Sequence, residues 1–373
     1  MLKIVNDIYK KMAKIRKKSK VKIGVIFGGK SGEHEVSIVS AQSVMKALGR
    51  KKYAVIPIGI TKKGEWLTKD PVNQLKTGKI TEKSTPLPSA ELLKRIDVFF
   101  PVLHGSFGED GTVQGMLEMA NKPYVGAGVL ASAVGMDKII QKMLTDQAGL
   151  PSVKYQWFFA KDWRRNKKEI LRRLKRGLSY PMFTKPANLG SSVGISKCHN
   201  QKELIAGIND AAKYDRKIVV EQGIENIYEI EVSVLGNDDP QASVPGEIIP
   251  SNEFYDYDAK YVDGKSQAII PAKLPKNVTN KIQAIAVAAF KTLNLSGMAR
   301  CDFLVKKGSY KIYLNEVNTI PGFTAISMYP KLWQASGLSY PELLDRLIGL
   351  ALKRYNGKQN LLTSYQPKED WYR

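Results

Sequence analysis

Short, unbroken apolar stretches occupy residues 21–27, 53–60 and 97–103, and each ends in glycine or polar turn signals. Runs of that length without polar alternation fit strands covered on both faces. After the first comes the turn Gly28-Gly29-Lys30-Ser31-Gly32, and residues 33–48 then read as a helix. The rhythm predicts βαβ units and an open, mostly parallel sheet with its ligand site at the strand ends. The turn lacks the G-x-G-x-x-G spacing, so the dinucleotide fingerprint is absent. Residues 62–96 are polar and turn-rich and read as an insertion or long connection.

Leu150-Pro151 interrupts a helical stretch and marks a boundary. A basic helix over 161–176, a strand over 180–185, a Gly/Ser loop at 188–194 and a strand over 217–222 then form a small α/β unit. Strands resume from residue 229, followed by a polar loop at 251–268 and a helix over 278–293. Two apolar runs, 300–305 and 313–318, are joined by Lys306-Lys307-Gly308, which predicts a β-hairpin. A helix over 340–354 closes the pattern. The organisation expected is a basic extension (1–20), three α/β domains (21–145, 146–225 and 226–354) and a polar tail (355–373).

The hairpin carries the most specific chemistry. Glu316 and Asn318 stand two apart, so they share a strand face. Such oxygen donors suit Mg²⁺, which prefers hard ligands and shares them with phosphate. Asp302 joins them only if the register pairs it with an even-numbered residue, which the sequence leaves open; the alternative is an edge strand with solvated polar groups. Lys185 precedes the loop Asn188-Leu189-Gly190-Ser191-Ser192-Val193-Gly194, which either turns N–H and hydroxyl groups toward phosphate or is a plain connection. No Walker A lysine closes it. The backbone after Glu221-Gln222-Gly223-Ile224 can meet an adenine edge, and Glu229 ribose hydroxyls. His104, Glu109 and Asp110 sit in a glycine-rich loop, either as catalytic groups or with the acids capping the next helix. Glu33 and Glu35 can equally be first-turn acids that complement a helix dipole.

Composition narrows the class. No apolar run is long enough to span a bilayer, so no integral membrane association is expected. Cys198 and Cys301 form no motif, which fits a reducing cytoplasm. The formal net charge is +23, which favours anionic partners, but no DNA- or RNA-binding signature accompanies it, and no specific nucleic acid is expected. Residues 1–20 hold eight Lys/Arg and one acid, with Val5, Ile8, Met12 and Ile15 at helical spacing, and read as a basic amphipathic extension.

Together the ordered motifs Gly28-Gly29-x-Ser31 with Glu33-x-Glu35-Val36-Ser37, His104-Gly105 with Glu109-Asp110-Gly111-Thr112, Met136-Asp137-Lys138, the 185–194 loop, Tyr257-x-x-Lys260-Tyr261, Arg300-x-Asp302 and Glu316-x-Asn318-Thr319-x-Pro321-Gly322 give the chain a resemblance. From about residue 21 to about 350 it resembles the D-alanine–D-alanine ligases of the ATP-grasp superfamily.

The resemblance implies an ATP-grasp fold with a Rossmann-like N-terminal domain and nucleotide between the central and C-terminal domains. ATP would phosphorylate one D-alanine, and the amine of a second would attack the acyl phosphate. The product would serve peptidoglycan synthesis. Two Mg²⁺ ions, or Mn²⁺ in their place, would sit on Asp302, Glu316 and Asn318. Nucleotide binding would fall to Lys138, Lys185, Ser191, Ser192, Glu221, Gln222, Ile224, Glu229 and Lys260. Arg300 and the Gly322 N–H would stabilise the oxyanion. Glu33 would hold the first ammonium, with Ser191 and Tyr261 bonded to it in a closing loop. Ser327 and the Met328 N–H would take the second carboxylate, with His104 near the first substrate. The resemblance also suggests a homodimer. Tyr261 favours a dipeptide over the depsipeptide of D-lactate ligases. Ile326, often polar in relatives, departs from the pattern. The rivals are another ATP-grasp ligase, such as a D-alanine–D-lactate ligase, and a non-catalytic nucleotide- or nucleic-acid-binding protein.

Overall fold

The computed structural model describes residues 20–249 and 267–365. The expectations for the basic extension before residue 20, for Tyr257, Lys260 and Tyr261, and for residues 366–373 lie outside them.

The chain opens with β1 (Val21–Gly28), α1 (His34–Ala47) and β2 (Tyr53–Ile60), as the apolar runs require. The 62–96 connection is more structured than its polarity suggests: it carries β3 (Trp66–Leu67), α2 (Pro71–Thr77) and α3 (Ala90–Arg95) before β4 (Val98–Pro101). The sheet order is β3-β2-β1-β4. β1 runs parallel to both β2 and β4, and only β3 is antiparallel. Gly28 and Gly29 both take positive φ (87° and 98°), which bends the chain off the end of β1 and aims the first turn of α1 at the loop after β4. Helices α4 (Thr112–Met119), α5 (Val129–Met136) and α6 (Lys138–Gln147) follow.

The central unit comprises β5 (Tyr155–Phe159), α7 (Ala160–Gly177), β6 (Met182–Pro186), β7 (Ser196–Cys198), α8 (Gln201–Ala211) and β8 (Lys217–Gln222), with sheet order β5-β8-β6-β7. All its strand pairs are antiparallel. The basic helix α7 buries Trp163, Ile170 and Leu174 and turns its Lys and Arg side chains to solvent.

The last sheet is built from β9 (Ile227–Gly236), β10 (Gln241–Ala242), β11 (Gly246–Ile249) and β12 (Gln267–Ile269); then, after α9 (Lys276–Thr292), from β13 (Gly297–Lys306) and β14 (Ile312–Asn318). Ile230, Val232, Cys301, Phe303, Leu314 and Val317 pack with α9 on one face. The other face carries polar side chains toward the central unit. β13 and β14 form the expected hairpin, and the register pairs Asp302 with Glu316 and Arg300 with Asn318. The register slips between Asp302 and Phe303, so Asn315 is an extra residue on β14. In an unbroken strand Glu316 would follow Leu314 into the core. The bulge turns Glu316 and Asn318 to the polar face instead.

Two helices complete the structure, α10 (Met328–Ala335) and α11 (Tyr340–Gln359). α11 runs past residue 354, where the periodicity ends it. Its buried face (Leu343, Leu344, Leu347, Ile348, Ala351) packs with Ile23, Val25, Phe27, Val98 and Phe100 of the first sheet. Beyond it, Arg354 donates to the Tyr124 carbonyl at 3.0 Å and Lys358 pairs with Glu118, so residues 355–359 are attached to the first sheet's flank.

Candidate active site

A cleft of about 240 Å³ opens where the three sheets face one another. It is lined by Glu33 and His104 from the first unit, by Ser191 and Ser192 from the Gly/Ser loop, by Lys138 at the start of α6, and by Arg300, Glu316, Asn318, Gly322, Ser327 and Met328 from the last. Residues scattered over the whole chain therefore converge.

Glu33 is the N-cap residue of α1, but its side chain makes no capping bond. It reaches across the cleft, and the Ser191 hydroxyl donates to its Oε1. Ser191 and Ser192 both have positive φ (50° and 61°), a strained backbone that presents their side chains inward. Lys138 Nζ donates to the Leu189 carbonyl at 2.6 Å, so it steadies the same loop.

Across the hairpin face, Arg300 grips Asp302 in two bonds of 2.7 Å, and Glu231 approaches Arg300 at 3.1 Å. Burial works against the guanidinium charge, but Asp302, Glu231 and Glu316 outweigh it and hold Arg300 firmly protonated. Asn318 Nδ2 donates to Asp302 at 3.0 Å. Two carboxylates and an amide oxygen on one face of the β13–β14 hairpin are hard donors of the kind a small divalent cation takes. The donor set thus fits Mg²⁺.

Beside the cleft, Glu221 lies buried between Lys185 (2.7 Å) and Lys142 (3.1 Å). Burial alone would raise its pKa, but the two ammonium charges hold it down at about 2. Lys185 in turn stays charged despite its own burial, because Glu221 and Glu316 face it. Gln222 and Ile224 do not line the cleft. The Gln222 N–H donates to Lys154 O at 2.8 Å, and the Gly223 N–H to Pro181 O at 2.7 Å. Glu229 pairs with Leu304 across the sheet, on the polar face.

His104 lines the cleft, yet both its ring nitrogens are engaged: Nδ1 with the Ile320 carbonyl at 3.1 Å and Nε2 with Ser40 Oγ at 3.2 Å. Burial lowers its pKa, so it is neutral and serves to position the 320–323 turn. The two acids of its loop divide their work. Asp110 accepts from the Phe107 N–H at 2.8 Å and the Thr112 N–H at 3.0 Å, ordering the turn before α4, whose N-cap is Gly111. Glu109 does not cap; it is half-buried in the cleft wall and accepts from Gly105 N at 2.8 Å and Ile320 N at 2.9 Å, joining two loops that shape the cleft. Burial, and then the Glu33 charge, push its pKa up to about 8 against those two N–H bonds. Ser327 is the N-cap of α10, its Oγ 2.8 Å from Thr324 Oγ1. A Cβ on Gly322 would lie 2.6 Å from Ser327 Oγ, so any other residue here forces that hydroxyl to move.

Sequence reasoning missed Lys142, Glu231 and Gln141. Gln141 accepts from the Val317 N–H at 2.9 Å and donates to the Val317 carbonyl at 3.0 Å, which pins the metal-face strand to α6. Lys142 stands four residues past Lys138, one helical turn on, and that spacing was the available signal.

A convergent cleft on three α/β sheets, with a lysine-backed Gly/Ser loop facing a carboxylate pair, defines an ATP-grasp ligase. Two family models, described as D-ala D-ala ligase N-terminus and C-terminus, match residues 22–127 and 144–349. The D-alanine–D-alanine ligase of Natranaerobius thermophilus is 50% identical over 361 residues, covering 93% of this chain and 99% of its own length. That of Thermoanaerobacter pseudethanolicus is 51% identical over 356 residues, covering 91% and 98%. Among solved structures, the D-alanine–D-alanine ligase of Coxiella burnetii superposes with a TM-score of 0.77 at 38% identity, covering 91% of this chain and 96% of that one. The VanG D-Ala:D-Ser ligase of Enterococcus faecalis superposes with a TM-score of 0.79 at 36% identity, covering 89% and 100%. The chain belongs to the D-alanine–D-alanine ligase family. Among the described residues, no helix is long and apolar enough to cross a membrane.

Proposed function

We propose that this protein joins two D-alanine molecules at the expense of ATP, through a D-alanyl phosphate, to give D-alanyl-D-alanine, ADP and phosphate for peptidoglycan synthesis in the cytoplasm. The observation that carries this reading is the bond from Ser191 to Glu33, which brings a phosphate-type loop over an acid poised for an amino group.

Glu33 binds the first ammonium, and the Ser191 loop, with Tyr261, excludes water that would hydrolyse the acyl phosphate. Lys138 and Lys185 neutralise phosphate charge, with Ser192, Lys260 and Glu229 as further nucleotide contacts and the Glu221–Ile224 linker beside the base. Lys142 keeps Glu221 ionised and in place. Arg300 and the Gly322 N–H face the oxygen that gains charge as the amine attacks. Asp302, Glu316 and Asn318 would hold two Mg²⁺ ions, with Mn²⁺ as a substitute. When bound, these ions supply charge neutralisation to the phosphates. The second carboxylate lies at the α10 N-terminus, where the Met328 N–H and Ser327 Oγ are presented, a ready anion site. A homodimer contact would use exposed apolar groups such as Ile140, Met143 and Leu144, which share one face of α6.

The test is ATP- and Mg²⁺-dependent phosphate release with D-alanine alone and with D-serine or D-lactate added, products identified by mass. D-Alanyl-D-alanine as the main product supports the proposal. A mixed D-alanyl-D-serine or depsipeptide product reassigns the second site, and no D-alanine-dependent release sinks the reading.

A further inference from the structure

A second cavity of about 410 Å³, sharing no lining residue with the cleft, lies between the start of α7 and the 212–216 turn. Lys161, Arg164, Lys213 and Arg216 line it, together with Phe159 and Tyr214. Lys161 Nζ and the Arg216 guanidinium each lie 5.5 Å from the centre of the Phe159 ring, so two cations are stationed on one aromatic platform. The one carboxylate in the lining, Asp215, is already spent. Its Oδ2 accepts from the Asn188 N–H at 2.7 Å and from Asn188 Nδ2 at 2.9 Å, and its Oδ1 accepts from the Lys217 N–H at 3.0 Å. Lys213 is paired with Asp210 at 2.9 Å, which leaves Lys161, Arg164 and Arg216 as the cations that face the cavity with no uncommitted acid among its lining residues.

The cavity wall also holds the Gly/Ser loop at both ends. Asp215 grips Asn188. Tyr214 packs on Gly194 so closely that a Cβ there would lie 2.7 Å from its ring. Between these two anchors, Ser191 reaches Glu33 in the cleft.

We propose that this cavity is a second anion site, selective for a polyphosphate group, and that its occupancy holds the Gly/Ser loop in its closed position. Phosphoryl oxygens would accept from Lys161, Arg164 and Arg216, and the half-exposed Tyr214 ring would lie against whatever the phosphate carries. Two sources share this chemistry: a nucleotide tail and an inorganic polyphosphate. A loop held closed slows product release, so filling the site lowers turnover at saturating substrate.

The test is calorimetry on the full chain with inorganic tripolyphosphate, the cleft being saturated with ADP in excess Mg²⁺. One further site per chain is expected. Lys161→Glu with Arg216→Glu should weaken it at least tenfold while leaving basal turnover of D-alanine unchanged. Tyr214→Ala should keep the binding and lose the inhibition. A separate titration with ADP alone distinguishes the sources, two sites per chain marking a nucleotide and one site an inorganic polyphosphate. No saturable tripolyphosphate binding with the cleft filled, or equal binding to the double variant, overturns the proposal. Unaltered inhibition of Tyr214→Ala overturns the coupling to the loop. The binding arm does not depend on which amino acids the cleft joins.

Discussion

Replacing Glu109 by Gln should change how the stability of the protein depends on pH. The Glu109 carboxyl titrates at about 8 in the folded protein against an ordinary 4.5. Burial is the main cause and the Glu33 charge the second, while Arg300 and the Gly105 and Ile320 N–H groups oppose them. Burial lowers the pKa of His104 on the same loop and so disfavours its charged form. Between these two pKa values the folded chain holds a proton that the unfolded chain has lost. Stability from this group is therefore fully present below about 4.5 and is lost as pH rises toward 8, at roughly 1.4 kcal/mol per pH unit. Summed over the window this reaches about 5 kcal/mol. Glutamine cannot titrate, so the variant lacks the slope. It also cannot accept at both ends, because its amide NH₂ must face either Gly105 N or Ile320 N, a fixed loss of about 1–3 kcal/mol. The offset and the slope separate in a pH series. With an unfolding entropy of about 2.1 cal/mol/K per residue, 5 kcal/mol corresponds to roughly 6 °C for a chain of this length. The assay is calorimetric melting of both proteins from pH 5 to 9. The Tm of the wild type relative to Glu109→Gln should fall by several degrees up to pH 8 and then level off. A difference that stays constant across the series would refute a proton held at Glu109.

Four further outcomes are expected. Glu316→Ala should reduce turnover at least a thousandfold with the melting temperature little changed, because it removes one of the cross-strand pair that faces the phosphates; full activity would sink the metal assignment. Lys142→Met should cost about 3 kcal/mol in denaturant unfolding, since it strips one of two cations from a buried carboxylate, and a neutral result would mean that Glu221 is stabilised by Lys185 alone. Gly322→Ala should raise KM for the second D-alanine tenfold or more in steady-state kinetics, as its Cβ displaces Ser327 Oγ from 2.6 Å, while an unchanged KM would remove Ser327 from that subsite. Deleting residues 1–20 should leave kcat unaltered, and a folded but inactive truncation would place the extension in the working enzyme.

The hairpin shows how far sequence reaches. Alternation placed Glu316 and Asn318 on one side, and the turn at 306–308 announced the pairing, but the face they occupy was not legible. That is decided by the bulge at Asn315, a break in register that no local propensity encodes. The apolar runs gave β1, β2 and β8 to the residue or nearly so, because buried strands are continuous in hydropathy. The short helices within 62–96 were hidden by their polar exposure. Glu109 read either as a catalytic group or as a helix cap, since its role depends on Ile320, 211 residues away. Lys142 and Gln141 likewise act on strands that the sequence separates from them. Local pattern carries the elements and the strand-end motifs, whereas the buried side chains that join units depend on contacts formed only on folding.

The docking of α11 on the first sheet bears on the order in which the chain is made. Ile23, Val25, Phe27, Val98 and Phe100 leave the ribosome early, but the leucines that cover them begin at Leu343, about 240 residues later. At 5–20 residues per second that interval is roughly 10–50 s. For that time Ile38, Ala41, Val44 and Leu48 of α1 are the early partners of this cluster, and the part that α11 covers stays open on a growing polypeptide. The unit made first is the last to be finished, so a helper that shields nascent apolar surface would act on residues 21–101, and release of the completed chain would coincide with closure of its opening sheet.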